Sequence, residues 1–210
     1  MPPPAQDTAL LLVGYQNDYF SPKGVLHHAL ESPEQVASTL ANTLHLVEKL
    51  VPTPTLIVTT PIVFTPDYSE LKEPVGILKV IRDTGAFRSG SPGSETVPGL
   101  ASFGSRVIEI PGKRGLNAFS NTQLDEVFRE HSIRNVVLCG VVASLCIDSS
   151  GRAAHERNYR VWFVSDCISG RTLTEQRFYI SEIYPLYGQV ITSAELLESI
   201  TVNAATPPTE

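Results

Sequence analysis

The chain has 210 residues, 42% of them hydrophobic and 18% charged, with a formal net charge of −6. That length suits one α/β domain with a continuous buried core. The acidic balance, with no basic run to offset it, argues against a nucleic-acid or anionic-membrane partner. No apolar run approaches the roughly 18 residues of a membrane span. The opening MPPPAQDTA lacks the basic and apolar regions of a signal peptide, so a cytoplasmic location is expected. Cys139, Cys146 and Cys167 are odd in number and fit no metal-ligand spacing; they are expected to be thiols.

Residues 1–8 and 201–210 read as loose tails, leaving one domain over 9–200. Residues 9–15 form a first apolar strand. Ser32, Pro33 and Gln35 then open a helix as cap, first-turn proline and capping-box partner, with Val36, Leu40, Leu44 and Val47 on one face. Residues 55–64 read as a second strand whose proline, Pro61, bends its far half or takes it out of the sheet. Residues 65–98 are rich in Pro, Gly and Ser, with one helix near 75–81; a loop of that length is commonly a lid or binding loop.

Regular alternation then returns. Strand 106–110 is followed by a helix over 122–131 and by the most hydrophobic strand, 134–142. Next come a helix over 146–157 closed by Asn158, a strand over 159–166, a helix over 172–186, a short strand over 189–193 and a final helical turn over 194–199. Strands that are apolar throughout and separated by helices indicate a parallel sheet of about six strands in a three-layer, Rossmann-like α/β fold. Ligands in such a sheet bind at the carboxyl ends of the strands.

Three of those ends carry the chemical interest. Cys146 sits at a strand-to-helix turn, where unpaired N–H groups and the helix dipole favour a thiolate and can hold an oxyanion. Position alone leaves open whether it is a nucleophile or a small packing residue. Cys139 and Cys167 read as packing residues. Lys113, just past strand 106–110, is either a cation reaching a neighbouring strand end or a solvated loop lysine beside Arg114. Gly14, at the end of the first strand, offers no side chain at all.

The ordered segments LLLVGYQNDYF, GKRGLNAFSNTQL, CGVVASLCIDSSGRAAHERNYRVWFVSD and GQVITSAELL resemble the isochorismatase-like cysteine hydrolases, the superfamily of nicotinamidases and N-carbamoylsarcosine amidases. The resemblance covers about 9–199. It implies an Asp–Lys–Cys triad in which the cysteine attacks an amide carbonyl and water resolves the thioester. Carried over by position, Cys146 is the nucleophile and Lys113 the lysine, four residues before Asn117, where the family usually has serine. The backbone N–H groups of Val142 and Cys146 are the implied oxyanion hole, with a cis peptide at 141–142. Phe20 matches an aromatic position that often lines the substrate pocket.

The resemblance also implies what is missing. The family reads roughly V-D-x-Q-N-D-F where this chain has Val13-Gly14-Tyr15-Gln16-Asn17-Asp18-Tyr19, so Gly14 holds the place of the aspartate. Tyr15 should point to the opposite face of the sheet, and Asp18 matches a residue kept for the loop. The metal-binding Asp and His residues of nicotinamidases would fall after the second strand, but His27, His28, His45, His131 and His155 lie elsewhere; no metal or other cofactor is expected.

The first expectation is a cysteine hydrolase acting on a small amide, carbamoyl or related C–N substrate, with a Gly14→Asp replacement raising its activity if the rest of the site is intact. The alternative is a weak or inactive relative that binds a small ligand in the same pocket. A vinyl-ether hydrolase ranks last, because that chemistry relies on the aspartate. The family resemblance further implies self-association.

Overall fold

The computed structural model describes residues 3–204. Strands β1 (Thr8–Val13) and β4 (Asn135–Val141) are buried at every position, which is why both are apolar beyond their first residues, Thr8 and Asn135: each is covered on both faces. With β2 (Leu56–Thr59), β3 (Ile108–Glu109), β5 (Arg160–Ser169) and β6 (Gln189–Ile191) they form one sheet in the order β3-β2-β1-β4-β5-β6. Every pairing is parallel. The chain moves from β1 outward to β2 and β3, then re-enters on the other side of β1 as β4. The order thus reverses between β1 and β4, and the crevice beyond their carboxyl ends is where open α/β sheets hold ligands.

Helix α1 (Asn17–Phe20) follows β1, and α2 (Pro33–Leu50) begins as expected, with the Gln35 N–H donating to Ser32 Oγ at 3.2 Å. The buried face of α2 differs from the apolar stripe. It contains Thr39 and Thr43, with Leu40 and Leu44 only half-buried at its edge. The threonines can be buried because their hydroxyls are paired, Thr39 with Ser169 Oγ at 2.7 Å and Thr43 with Tyr15 OH at 2.6 Å; a paired hydroxyl escapes most of the desolvation cost. Beyond the helix, the Arg106 guanidinium donates to the carbonyls of Val51, Thr53 and Thr55 at 2.9, 2.9 and 2.5 Å. That draws Arg106 into a turn and shortens the expected strand 106–110 to β3.

Further on lie α3 (Gly76–Thr84), α4 (Pro98–Ala101), α5 (Leu124–Glu130), α6 (Asp148–Glu156), α7 (Leu173–Phe178) and α8 (Ser193–Ala204). The helix expected over 172–186 is α7 followed by a wide turn and a 3₁₀ turn that contains Pro185. Strand β5 runs on to Ser169 through an irregularity in its pairing with β4. The N-terminal segment is not loose from Ala5 onward: Asp7 accepts from the Arg134 N–H at 2.8 Å and from Asn135 Nδ2 at 2.9 Å. Residues 205–210 of the expected C-terminal tail lie outside the described residues. No helix among the described residues is long and apolar enough to cross a membrane.

The loop over 65–98 is held by two buried polar side chains that follow β1. Gln16 donates to the carbonyls of Ile62 and Ser94, both at 2.7 Å, and accepts from the Ile62 N–H at 2.9 Å. It therefore takes the place of a strand partner where the chain leaves β2 at Pro61. Asp18 accepts from the Phe87 N–H at 2.6 Å. Gln16→Ala is expected to destabilise the fold by about 1–3 kcal/mol, because it strands buried backbone groups. Urea unfolding would show this as a lower midpoint with little change in slope.

Candidate active site

Lys113, in the loop after β3, and Cys146, in the turn after β4, meet at the carboxyl end of the sheet. Lys113 Nζ lies 3.5 Å from Cys146 Sγ and donates to the Gly115 carbonyl at 2.6 Å. Lys113 is 0% exposed and Cys146 4%. Burial pushes the Lys113 pKa down, and the neighbouring Cys146 pulls it partly back. An ammonium in this position depends on a nearby anion, and the sulfur is the group placed to supply one. The solvated-loop reading of Lys113 is thus replaced by a buried lysine facing a thiol.

Cys146 does not open α6. It lies in a wide π turn, Ala143–Ile147, that runs into α6; such turns occur frequently at functional sites. Two groups hold this turn from the far side. Tyr184 stacks on Phe163 with ring centroids 3.9 Å apart and donates its hydroxyl proton to the Ala143 carbonyl at 2.8 Å. Glu175 accepts from the Ser144 N–H at 3.4 Å. The Val141–Val142 peptide bond is cis.

Gly14 stands at the same crevice, but the space beside it is not an open slot. Its φ is +78°, and a Cβ built on it would lie 2.6 Å from the Val141 carbonyl oxygen and 2.9 Å from Val141 Cγ2. Gly140 opposes Val13 in the β1–β4 ladder, and a Cβ there would come 1.9 Å from the Val13 carbonyl oxygen. Glycine at both positions lets the two strand ends close together. An aspartate at position 14 would therefore be strained and would need the Val141 backbone to shift.

The two candidate stand-ins for the aspartate are engaged elsewhere. Tyr15 points to the α2 face, where its hydroxyl meets Thr43 and donates to the Cys167 carbonyl at 3.2 Å. The Asp18 carboxylate holds the loop through the Phe87 N–H. Phe20, expected at the substrate pocket, stacks on Tyr15 at 5.0 Å and lines a groove beside Leu40 and Leu44 of α2. Its neighbour Tyr19 packs against Phe87 instead, with ring centroids 5.3 Å apart. That phenol is buried and its pKa is driven up, first by burial and then by the charge on Cys146. All three cysteines are free and buried, and the thiol of Cys139 sits against that of Cys167.

The shared fold of nicotinamidases raises the question of a divalent ion, and the residues here do not fit one. After β2 the chain runs Thr60-Pro61-Ile62-Val63-Phe64, which offers no carboxylate or imidazole. Asp67 is taken by Thr65 Oγ1 at 2.7 Å and the Ser69 N–H at 3.2 Å. Among the described residues no group of three or more His, Cys, Asp or Glu side chains could hold a metal.

A family model described as Isochorismatase domain matches residues 8–195. The chain belongs to the isochorismatase family. The uncharacterized isochorismatase family protein YwoC of Bacillus subtilis (strain 168) is 32% identical over 88 residues, 42% of this chain and 47% of that protein, so this match spans about half its length. The uncharacterized isochorismatase family protein YddQ of the same strain is 27% identical over 169 residues, 79% of each chain. A solved cysteine hydrolase from Pseudomonas syringae pv. phaseolicola 1448A matches with a TM-score of 0.86 at 20% identity, covering 97% of this chain and 96% of that one. At that identity the likeness establishes the fold: an isochorismatase-type parallel sheet of six strands with helices.

Proposed function

We propose that this isochorismatase-family chain is a cysteine hydrolase that cleaves a small amide, carbamoyl or related C–N substrate through a thioester on Cys146. In this reading Lys113 carries the protons that the family's aspartate would carry. The observation that supports it is the 3.5 Å approach of Lys113 Nζ to Cys146 Sγ at the crevice where the strand order reverses.

The steps follow from that pair. The Lys113 amine takes the thiol proton, which its lowered pKa permits only when an anion forms beside it. The thiolate adds to the substrate carbonyl carbon, and the resulting oxyanion is held by the N–H groups of Val142 and Cys146. The Lys113 ammonium returns its proton to the leaving nitrogen as the C–N bond breaks, giving ammonia or an amine and a thioester. Water then adds to the thioester, losing a proton to the Lys113 amine, and the C–S bond breaks to restore the thiolate. Enclosure of the sulfur favours a small substrate and excludes bulk water from the charged intermediates.

The test is ammonia or amine release from a panel of small amides and carbamoyl compounds, with intact-mass analysis of the quenched reaction. An acyl adduct on Cys146, absent from Cys146→Ala, is expected. Iodoacetamide at neutral pH should modify Cys146 on the order of tenfold faster than Cys139 or Cys167, because a thiolate is the reacting form. Equal, slow labelling of all three would remove the activated nucleophile from the account.

One observation favours a second reading, that of a ligand-binding relative with little turnover. The backbone at Gly14 excludes any side chain, so no carboxylate can be near the thiol from that position. In that case small amides would protect Cys146 from iodoacetamide without releasing ammonia.

A further inference from the structure

The opposite end of the sheet carries a second feature that the hydrolase reading does not use. A cleft of about 550 Å³ opens at the amino ends of β4 and β5 and is lined by Arg129, Arg134, Arg157 and Arg160, with Tyr159 and a single carboxylate, Asp125. Its volume is in the range of small-molecule sites. Asp125 is already committed: it pairs with Arg129 and accepts from the Tyr159 hydroxyl at 2.8 Å. Three guanidinium groups therefore remain without a carboxylate in this cleft, in a chain whose net charge is −6.

Two of the four arginines have a structural explanation. Arg129 lies in the last turn of α5 and Arg157 just past α6, where cations complement the helix dipole. Arg157 is also held in place, donating to the Ala153 carbonyl at 2.9 Å with its guanidinium 4.9 Å from the centre of the Phe119 ring. Arg134 and Arg160 have no such reason. Arg134 immediately precedes β4 and Arg160 begins β5, and the two are tied by the Arg160 N–H donating to the Arg134 carbonyl at 2.9 Å. Neither guanidinium pairs with a carboxylate among the described residues. Two unpaired cations on adjoining backbone segments attract an anion that can reach both.

We propose that this cleft is a binding site for a phosphate-rich anion, an oligophosphate either free or carried by a nucleotide. Planar guanidinium forks match phosphate oxygens in pairs, and several converging arginines favour a ligand with several charges over a single carboxylate. A second cleft of about 500 Å³ adjoins it across Asn158, Tyr159 and Arg160 and presents the rings of His155 and Tyr187, which gives room for a base if the phosphates belong to a nucleotide. The site is separate from Cys146: the seven residues of β4 put about 20 Å between the two ends of the sheet.

The test is calorimetric titration of the full chain with sodium tripolyphosphate and, in a second arm, with ATP, in 150 mM-type salt matched for ionic strength. Saturable binding is expected, weakened on the order of tenfold or more by Arg134→Ala/Arg160→Ala, whose side chains are exposed, and unchanged by Cys146→Ala. Tighter binding of ATP than of tripolyphosphate would assign the adjoining cleft to the base; equal binding would assign the site to the phosphates alone. No saturable binding of either probe, or binding that the double variant leaves intact, overturns the proposal.

Discussion

Lys113→Met is expected to lower kcat/KM for the best small amide by at least about 10²-fold while leaving the chain folded. Positioned proton transfer contributes roughly 10²–10⁴-fold in rate, and this chain has no aspartate at position 14 to share the task. The lysine is fully buried, so methionine of similar length fills the space and removes a charge that is costly to enclose. Lys113→Arg should fail as well, because a guanidinium does not release its proton near neutrality. Stability against pH separates the charge from the chemistry. The unfolded chain keeps the Lys113 proton up to the ordinary value of 10.5, whereas burial makes the folded chain release it at lower pH. Between those two values the unfolded state binds more protons, so this group makes stability rise with pH. Lys113→Met should flatten that rise in urea titrations. Above about pH 10 the sign reverses, because buried Tyr15, Tyr19 and Tyr184 and partly buried Tyr187 all have raised pKa values and ionise more readily once unfolded. A variant that keeps full activity, or loses it only by unfolding, would remove Lys113 from the proton path.

The architecture could be read from the chain because it depends on signals that are local and repeated. The long apolar runs of β1 and β4 point to a sheet covered on both sides, and the helices between strands to parallel crossovers. The meeting of Lys113 with Cys146 was implied by the family resemblance; position past a strand end alone left Lys113 readable as a solvated loop residue. What escaped the sequence depends on contacts between distant segments. The burial of Thr39 and Thr43 requires knowing that Ser169 and Tyr15 will receive their hydroxyls. Strand β5 runs past Asp166, an unlikely-looking interior residue, because the Ser193 N–H and hydroxyl bind its carboxylate at 2.8 and 2.6 Å. The short helix α1, four residues with no periodic signal of their own, puts Phe20 on Tyr15 and Tyr19 on Phe87. The loop over 65–98 has a composition that marks it as irregular, but its anchors, Gln16 and Asp18, belong to a segment dozens of residues earlier.

Gly14→Asp is expected to destabilise the protein and not to raise its activity, against the simplest inference from a missing triad member. A side chain at φ +78° costs about 1–3 kcal/mol in backbone strain alone. The first carbon of that side chain would also sit 2.6 Å from the Val141 carbonyl oxygen. Relief requires β1 and β4 to separate at their ends, and Val141 adjoins the Val142 N–H proposed to hold the oxyanion. The substitution would therefore disturb the site it was meant to complete. Gly14→Ala isolates the steric part: if alanine and aspartate lower the urea midpoint by similar amounts and neither accelerates ammonia release, the backbone at position 14 is the cause. An aspartate variant as stable as the parent and faster on small amides would show that the strand end relaxes to admit a carboxylate. The loss at position 14 would then be a single reversible substitution in an otherwise conventional site. On the geometry of Val141, this backbone leaves no room for a carboxylate at position 14, and the proposed turnover would use the lysine.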